Sequence, residues 1–205
     1  MELYYKKNDN SKLFSYLEKN GYKNIQNYVP IYDRFFKLNN NNWNSINLNH
    51  KNHIQNINHI DKKNHNKLSI YTQNNKIRQS FFKYAPLIDP IKYMIGKYKN
   101  IDEEDLFSLP SFNKKTTTKK DDSNNSSYVD SFFYFLNSKL LNDYGFLHST
   151  DFYGSFISLK EDFKTNIFDD IEYLEQSKYF EENMDKLFTV QGKFRDMFIN
   201  EDTRK

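Results

Sequence analysis

The sequence predicts an α+β fold, in which a small antiparallel sheet packs against one long helix. Residues 68–85 alternate apolar and polar side chains around a pair of asparagines, which is typical of a β-hairpin. Residues 127–144 repeat apolar side chains with the period of a helix. Only 37% of the residues are hydrophobic, but 19 Phe, 16 Tyr and 1 Trp supply side chains large enough to fill a core. Strands and helices that occupy separate segments indicate the α+β class.

Six segments follow one another along the chain. They are an N-terminal helix and extended segment (1–38), an Asn- and His-rich region without a clear pattern (39–66), a hairpin and short helix (67–98), a flexible connector (99–126), a long helix followed by a hairpin and a helix (127–190), and a tail (191–205).

The first helix is predicted over residues 10–21. Asn10 or Ser11 can cap its start, and Gly21 stands where a helix ends with a left-handed residue. A strand is expected at residues 43–48. The spacing of Ile54, Ile57 and Ile60 predicts one face of a tight helical turn.

The central hairpin comprises LSIYT (68–72) and KIRQSFFKYA (76–85), joined by a two-residue turn at Asn74-Asn75. Pro90 is placed to begin a short helix. The connector that follows has little to bury, and we expect much of residues 112–125 to be mobile.

The long helix begins at a cap formed by Ser126 or Ser127 and ends at Gly145. Its apolar face is predicted from the spacing i, i+3, i+4, i+7, i+11: Val129, Phe132, Phe133, Leu136 and Leu140. Two strands, FYGSFISL and FKTNIF, are predicted next around the turn at residues 160–163. Asp169 and Glu172 fit a capping box at the start of the last helix.

Bulk properties exclude some classes of function. Thirty basic and 27 acidic residues give a net charge of +3, too balanced for a typical nucleic-acid binder. Without cysteine the chain has no disulfides, which suits a reducing intracellular compartment. No apolar run approaches 18 residues, and the N-terminus lacks the apolar core of a signal peptide, so we expect no membrane association.

The segments SFFKYAP, SYVDSFFYFLNSKLLNDYG and DFYGSFISL give the order hairpin, long helix, hairpin. This order resembles the N-terminal lobe of protein kinases. The resemblance implies that Lys83 binds the phosphates of ATP and that Asp130, from the long helix, pairs with this lysine. ATP is therefore the expected cofactor.

The sequence departs from the kinase pattern in several places. It has no G-x-G-x-x-G, no glutamate in the long helix, no H-R-D-x-x-x-x-N and no D-F-G. Asp151 and Phe152 are followed by Tyr153 before Gly154, so this run is not the metal-binding motif. We therefore expect a fragment or a non-catalytic relative, whose status as an enzyme stays open.

The chain also resembles proteins of giant DNA viruses of the mimivirus-like group. The segments that carry this resemblance are NWNSINLNHK, FFKYAPLIDPIKYMIGKY, SSYVDSFFYFLNSKLLNDYGFLHSTDFYGSF and YFEENMDKLFTV. The abundance of Asn, Lys, Ile, Tyr and Phe, which have AT-rich codons, agrees with it. It implies a viral protein of the host cytoplasm or the virion. The alternative to nucleotide binding is a non-enzymatic structural or host-interaction protein, whose partners would be viral or host proteins.

Other candidate sites favour ordinary structural explanations. The histidines at 50, 53, 59 and 65 lack a zinc-binding spacing and cysteine partners, so no metal site is expected. The lysines at 114, 115, 119 and 120 are interpreted as a solvated loop, because Asp121 and Asp122 offset their charge. The acidic residues at 102–105, 121–122 and 169–170 are interpreted as solvated. The aromatic runs Phe132-Phe133-Tyr134-Phe135 and Phe152-Tyr153-Phe156 are assigned to the core.

Overall fold

The computed structural model describes residues 3–48, 52–61, 64, 66–113 and 119–192. Within these ranges the chain divides into two compact units. The first comprises residues 1–87 and 107–162, and the second comprises residues 88–106 and 163–205. The boundary between residues 106 and 107 lies within the predicted connector (99–126).

The first unit is an α+β structure with three small antiparallel sheets, which confirms the predicted fold class. β1 (Tyr5–Lys7) pairs with β3 (Ile46–Leu48), and β2 (Tyr22–Gln26) pairs with β7 (Ile157–Lys160). The third sheet has the order β4 (Ile54–Ile60), β5 (Lys67–Thr72), β6 (Ile77–Phe81). The helices of this unit are α1 (Ser11–Glu18), α4 (Ser126–Tyr144) and 3₁₀ turns at Pro30–Arg34 and Lys119–Asp121.

Helix α1 confirms the first predicted helix. Leu13 and Leu17 are buried one turn apart, and Gly21 adopts a φ of 79° just beyond the helix. The Asn10 side chain does not cap the helix; its amide donates a hydrogen bond to Asn27 instead.

Strand β4 shows that the predicted helical turn at Ile54, Ile57 and Ile60 is wrong. The register against β5 shifts between Ile54 and Asn56, and again between Ile57 and His59. Each such bulge adds one residue to the strand. Two bulges in succession turn the usual period of two into a spacing of three, which explains the helix-like spacing of the isoleucines.

The hairpin of β5 and β6 is present as predicted, but its turn is longer than two residues. The Thr72 amide donates to the Lys76 carbonyl at 3.0 Å, so Gln73, Asn74 and Asn75 form the loop. Of these only Asn75 has a positive φ, 56°. A three-residue loop with its last residue left-handed is a common hairpin connection.

Helix α4 is the longest helix of the described structure. Asn125 caps it, in place of the predicted serines, by accepting a hydrogen bond from the Ser127 amide, and Gly145 ends it with a φ of 70°. Its buried face is Tyr128, Phe132, Phe135 and Ser138. The predicted face is thus only partly correct, because Val129 and Phe133 are 46% and 59% exposed.

Two clusters form the core of the first unit. One joins the Pro30–Arg34 region, β3 and α4, with Phe135 fully buried at its centre. The other joins α1 to the β4–β5–β6 sheet, with Leu17 and Ile70 almost fully buried. Burial of one such side chain stabilises the fold by roughly 1.5–3 kcal/mol.

The second unit is helical. It contains α2 (Pro90–Met94), α3 (Glu103–Phe107, which ends in the first unit), α5 (Ile171–Glu175) and α6 (Lys178–Asn183). Helix α2 begins at Pro90 as predicted, with the Asp89 carboxylate capping it. Met94, Leu174 and Phe180 form the core of this unit.

Two predictions for residues 160–185 are wrong. The segment FKTNIF is not a strand, so the predicted hairpin between it and β7 is absent. Strand β7 pairs with β2 instead. The predicted capping box at Asp169 does not cap the last helix, which is divided into α5 and α6. Ser177 caps α6 by accepting a hydrogen bond from the Phe180 amide at 3.2 Å.

Candidate functional site

The segment after β6 turns Lys83 away from the core. Phe82 and Tyr84, on either side of it, both pack into the cluster around α1 and the sheet. The Tyr84 hydroxyl is hydrogen-bonded to that of Tyr22, which fixes this side of the segment. Because side chains alternate in extended chain, Lys83 points in the opposite direction. Its side chain is 50% exposed.

Helix α4 supplies the groups that Lys83 meets. Asp130 and Tyr134 are four residues apart, so they lie on the same side of the helix. The Lys83 Nζ atom lies 2.6 Å from Asp130 Oδ2 and 4.9 Å from the centre of the Tyr134 ring. The structure thus contains the contact between Lys83 and Asp130 that the resemblance to a kinase lobe implies. We call these three residues the lysine site.

The lysine site holds a protonated amine in contact with solvent. The hydrogen bond to Asp130 raises the pKa of Lys83 above its ordinary value, so the side chain is charged at neutral pH. The Asp130 side chain is 43% exposed, and an ion pair this open contributes at most about 1 kcal/mol to stability. The arrangement leaves a positioned cation that an anionic ligand can approach.

The segments that follow α4 contact other parts of the first unit. Strand β7, which follows the long helix, pairs with β2 and not with β6, the strand that precedes Lys83. Asp151, in the D-F-Y-G run, accepts hydrogen bonds from Ser138 at 2.7 Å and from Asn142 at 3.0 Å. The Asp151 carboxylate thus attaches the chain after the helix to the helix itself.

Ser138 is a structural residue that the sequence analysis missed. It is fully buried, and its hydroxyl accepts a hydrogen bond from the Phe152 amide at 3.0 Å while it donates to Asp151. The buried positions of α4 have helical spacing, and they are Tyr128, Phe132, Phe135 and Ser138. A serine does not count as apolar, so a search for an apolar face leaves Ser138 out.

Lys120 is a second residue whose role was not predicted. The prediction that Lys120 belongs to a solvated loop is wrong, because the residue is only 2% exposed. Its Nζ atom donates to the Ser108 carbonyl at 2.8 Å and to the Ser108 hydroxyl at 2.7 Å. The Tyr128 hydroxyl donates to the Lys120 carbonyl, so the lysine is fixed at both ends. The run K119-K120-D121-D122 gives no sign of this burial.

The remaining candidate residues do not form a site. His59 lies in β4, and His53 directly precedes that strand, so the two are separated along the chain. His50, His65, Lys114 and Lys115 lie outside the described residues. In the ranges that are described, no three His, Asp or Glu side chains are grouped as metal ligands. None of the helices described combines the length and hydropathy of a transmembrane span.

One small cavity lies between α1, β3 and the chain at residues 152–156. Its volume is about 30 Å³, which suits one or two water molecules. Asn10, Asn27, Tyr32, His53 and Ser155 are among its polar lining residues. Burial raises the pKa of Tyr32 to about 12, so this phenol stays neutral. The lining does not include any residue of the lysine site.

Comparison with known proteins adds no relative from which a role can be transferred. No protein-family model matches the chain, and searches of curated proteins and of solved structures find no match.

Proposed function

We propose that this chain binds the phosphate groups of a nucleotide, with ATP as the first candidate, through Lys83. The observation that carries the proposal is the 2.6 Å ion pair between Lys83 and Asp130. In the kinase lobe that the element order resembles, an acidic residue of the long helix holds the phosphate-binding lysine in place. In this proposal Asp130, on α4, does the same for Lys83.

The electrostatics of the lysine site support this proposal. Lys83 is protonated and half-exposed, so a phosphate oxygen can form a charge-assisted hydrogen bond with its ammonium group. Tyr134 keeps the amine near a ring face, which limits the positions that the side chain can adopt. A ligand therefore meets a cation that is already oriented.

The proposal is for binding and not for phosphoryl transfer. That reaction requires a catalytic aspartate and residues that hold magnesium ions. The printed sequence contains neither H-R-D-x-x-x-x-N nor D-F-G, and the Asp151 carboxylate is occupied by Ser138 and Asn142.

The test is the thermal stability of the whole chain with and without ATP. At an ATP concentration of ~100 times its dissociation constant, binding adds about 2.7 kcal/mol to the free energy of unfolding. We expect Lys83→Ala to abolish the stabilisation. Lys92→Ala is the matched control, because Lys92 is also exposed and also pairs with an aspartate, Asp89. An unchanged melting temperature for folded wild-type protein at saturating ATP would contradict the proposal.

A non-enzymatic interaction role is the second candidate, supported by apolar side chains exposed on the surface of the first unit. Phe133 and Val129 are neighbours on α4, and Phe35, 46% exposed, stacks on Phe132 with ring centres 4.4 Å apart. Groups of exposed apolar side chains mark protein-interaction sites. Absence of any ATP response would favour this candidate.

The resemblance to giant-virus proteins adds a location and a class of partner to both proposed functions. In this proposal the chain acts in the host cytoplasm or in the virion, and its protein partners are viral or host proteins. The quoted segments and the excess of residues with AT-rich codons support it.

A further inference from the structure

Strand β6 is an open edge of its sheet. The strand order is β4-β5-β6, and in the part of the chain that is described no strand pairs with the outer side of β6. The opposite edge differs, because the Ile54 amide of β4 donates to the Tyr153 carbonyl at 2.7 Å and two bulges interrupt that strand. β6 pairs with β5 without a bulge, so its edge is straight.

The register identifies the backbone groups on the open side. Hydrogen bonds join Thr72 to Lys76 at one end of the β5–β6 ladder and Asn66 to Phe82 at the other. In an antiparallel pair, hydrogen-bonded and non-hydrogen-bonded positions alternate. Arg78 and Ser80 therefore face β5, and the amide and carbonyl groups of Ile77, Gln79 and Phe81 face outward.

The side chains of the same three residues are open to solvent. Ile77 is 54% exposed and Phe81 is 69% exposed, and both lie on the same face of the sheet as Gln79. Within the strand Arg78 is the one charged residue, and the strand contains no proline. An extended chain can therefore add to this edge.

We propose that the partner strand is β6 of a second copy of this chain, antiparallel and centred on Gln79. In this register Ile77 lies opposite Phe81 of the other copy, and Gln79 lies opposite Gln79. Each of these pairs exchanges two backbone hydrogen bonds. The register matches a β-branched side chain with an aromatic one, a favourable cross-strand pair. Arg78 lies opposite Ser80, so no like charges face each other.

Sedimentation equilibrium of the 205-residue chain is the first test. We expect a concentration-dependent dimer for the wild type, and a monomer for the double variant Ile77→Lys, Phe81→Lys, which places four added charges along the shared edge. Phe133→Lys, at an equally exposed site on α4, is the matched control and should leave the dimer unchanged. A wild type that stays monomeric at all concentrations overturns the proposal, as does a dimer that the double variant retains.

Disulfide trapping tests the register, and the absence of native cysteine makes the background clean. Opposed residues of a hydrogen-bonded antiparallel pair have Cα atoms about 5.5 Å apart, within reach of a disulfide. We expect Gln79→Cys to form a covalent dimer under mild oxidation faster than Tyr144→Cys, at a 64% exposed control site. A mixture of Ile77→Cys and Phe81→Cys proteins should form mixed dimers. Equal trapping of Gln79→Cys and the control, or trapping of each protein only with itself, would contradict the antiparallel pairing.

Discussion

Lys83 and Lys120 lie in the same unit, but their surroundings differ. The Lys83 side chain is half-exposed and forms an ion pair with Asp130. Lys120 is almost fully buried and donates to both oxygen atoms of Ser108. A buried ammonium group loses its hydration, so its hydrogen bonds are needed for the fold. An exposed one retains water, which a ligand can displace.

The two lysines therefore have different expected roles. Lys120 connects the chain at Ser108 to the start of α4, and its removal should affect folding. Lys83 contributes little to folding, so its removal should affect ligand binding without a large loss of stability. The following predictions test this separation, beginning with the largest expected effect.

Lys120→Met should lower the free energy of unfolding by about 3 kcal/mol, because the buried Lys120 side chain loses two hydrogen bonds to Ser108. Methionine keeps most of the side-chain volume. Urea unfolding of the full chain measures the loss. Lys119→Met, at the exposed neighbouring position, should change stability by no more than ~0.5 kcal/mol. Equal effects of the two substitutions would show that the burial of Lys120 has no energetic consequence.

Ser138→Ala should lower the free energy of unfolding by about 2 kcal/mol, because the Phe152 amide and the Asp151 carboxylate lose the buried Ser138 hydroxyl as a partner. Ser131→Ala, at a half-buried position of the same helix, serves as the control in the same urea experiment. A loss at Ser138 no larger than at Ser131 would count against a stabilising network at Asp151.

Alkaline pH should destabilise the first unit through its buried phenols. Burial raises the pKa of Tyr32 from 10.0 to about 12, so its contribution is complete below pH 10 and is lost as the pH rises towards 12. At pH 11 the ionisation of Tyr32 lowers the free energy of unfolding by about 1.4 kcal/mol relative to neutral pH. Burial also raises the pKa of Tyr28 and Tyr128, and these residues add to the loss.

The measurement is the free energy of unfolding at pH 9 and at pH 11. Tyr32→Phe should lose about 1.4 kcal/mol less than the wild type over this interval, because phenylalanine does not ionise. Identical losses in the two proteins would mean that Tyr32 ionises as easily in the folded state as in the unfolded state.

Lys83→Ala should have the smallest effect on stability, below about 1 kcal/mol, because both partners of the ion pair are exposed. High salt should reduce the difference further. Urea unfolding at two ionic strengths measures it. A loss as large as that of Lys120→Met would make Lys83 a structural residue and remove the distinction between the two lysines.

Much of the local structure could be predicted where the sequence pattern of a segment corresponds to one backbone conformation. Helix α1 and the β5–β6 hairpin follow from the periodicity and the alternation of their apolar residues, and the end of α4 follows from the glycine at position 145, but the residues predicted to cap the two helices do not cap them. The contact between Lys83 and Asp130 was expected from the resemblance to a kinase lobe, and the structure contains it. Its role in nucleotide binding stays a proposal.

Other features depend on tertiary contacts that no local pattern records. The bulges of β4 depend on its pairing with β5, and the partner of β7 lies about 135 residues earlier in the chain, at β2. Lys120 occurs in a run of charges that is typical of a solvated loop, yet the surrounding chain buries it. The predicted buried face of α4 is displaced around the helix from the observed one. One reason is that Ser138 is buried by its hydrogen bonds and not by apolar character.

The most direct test of the account is calorimetric titration of the wild-type chain and of Lys83→Ala with ATP and with adenosine. We predict saturable binding of ATP to one site in the wild type and much weaker binding of adenosine. Lys83→Ala should lose ATP binding while it remains folded. No heat of binding with ATP in the wild type, or equal ATP affinity in the variant, would contradict the assignment of Lys83 as a phosphate-binding residue.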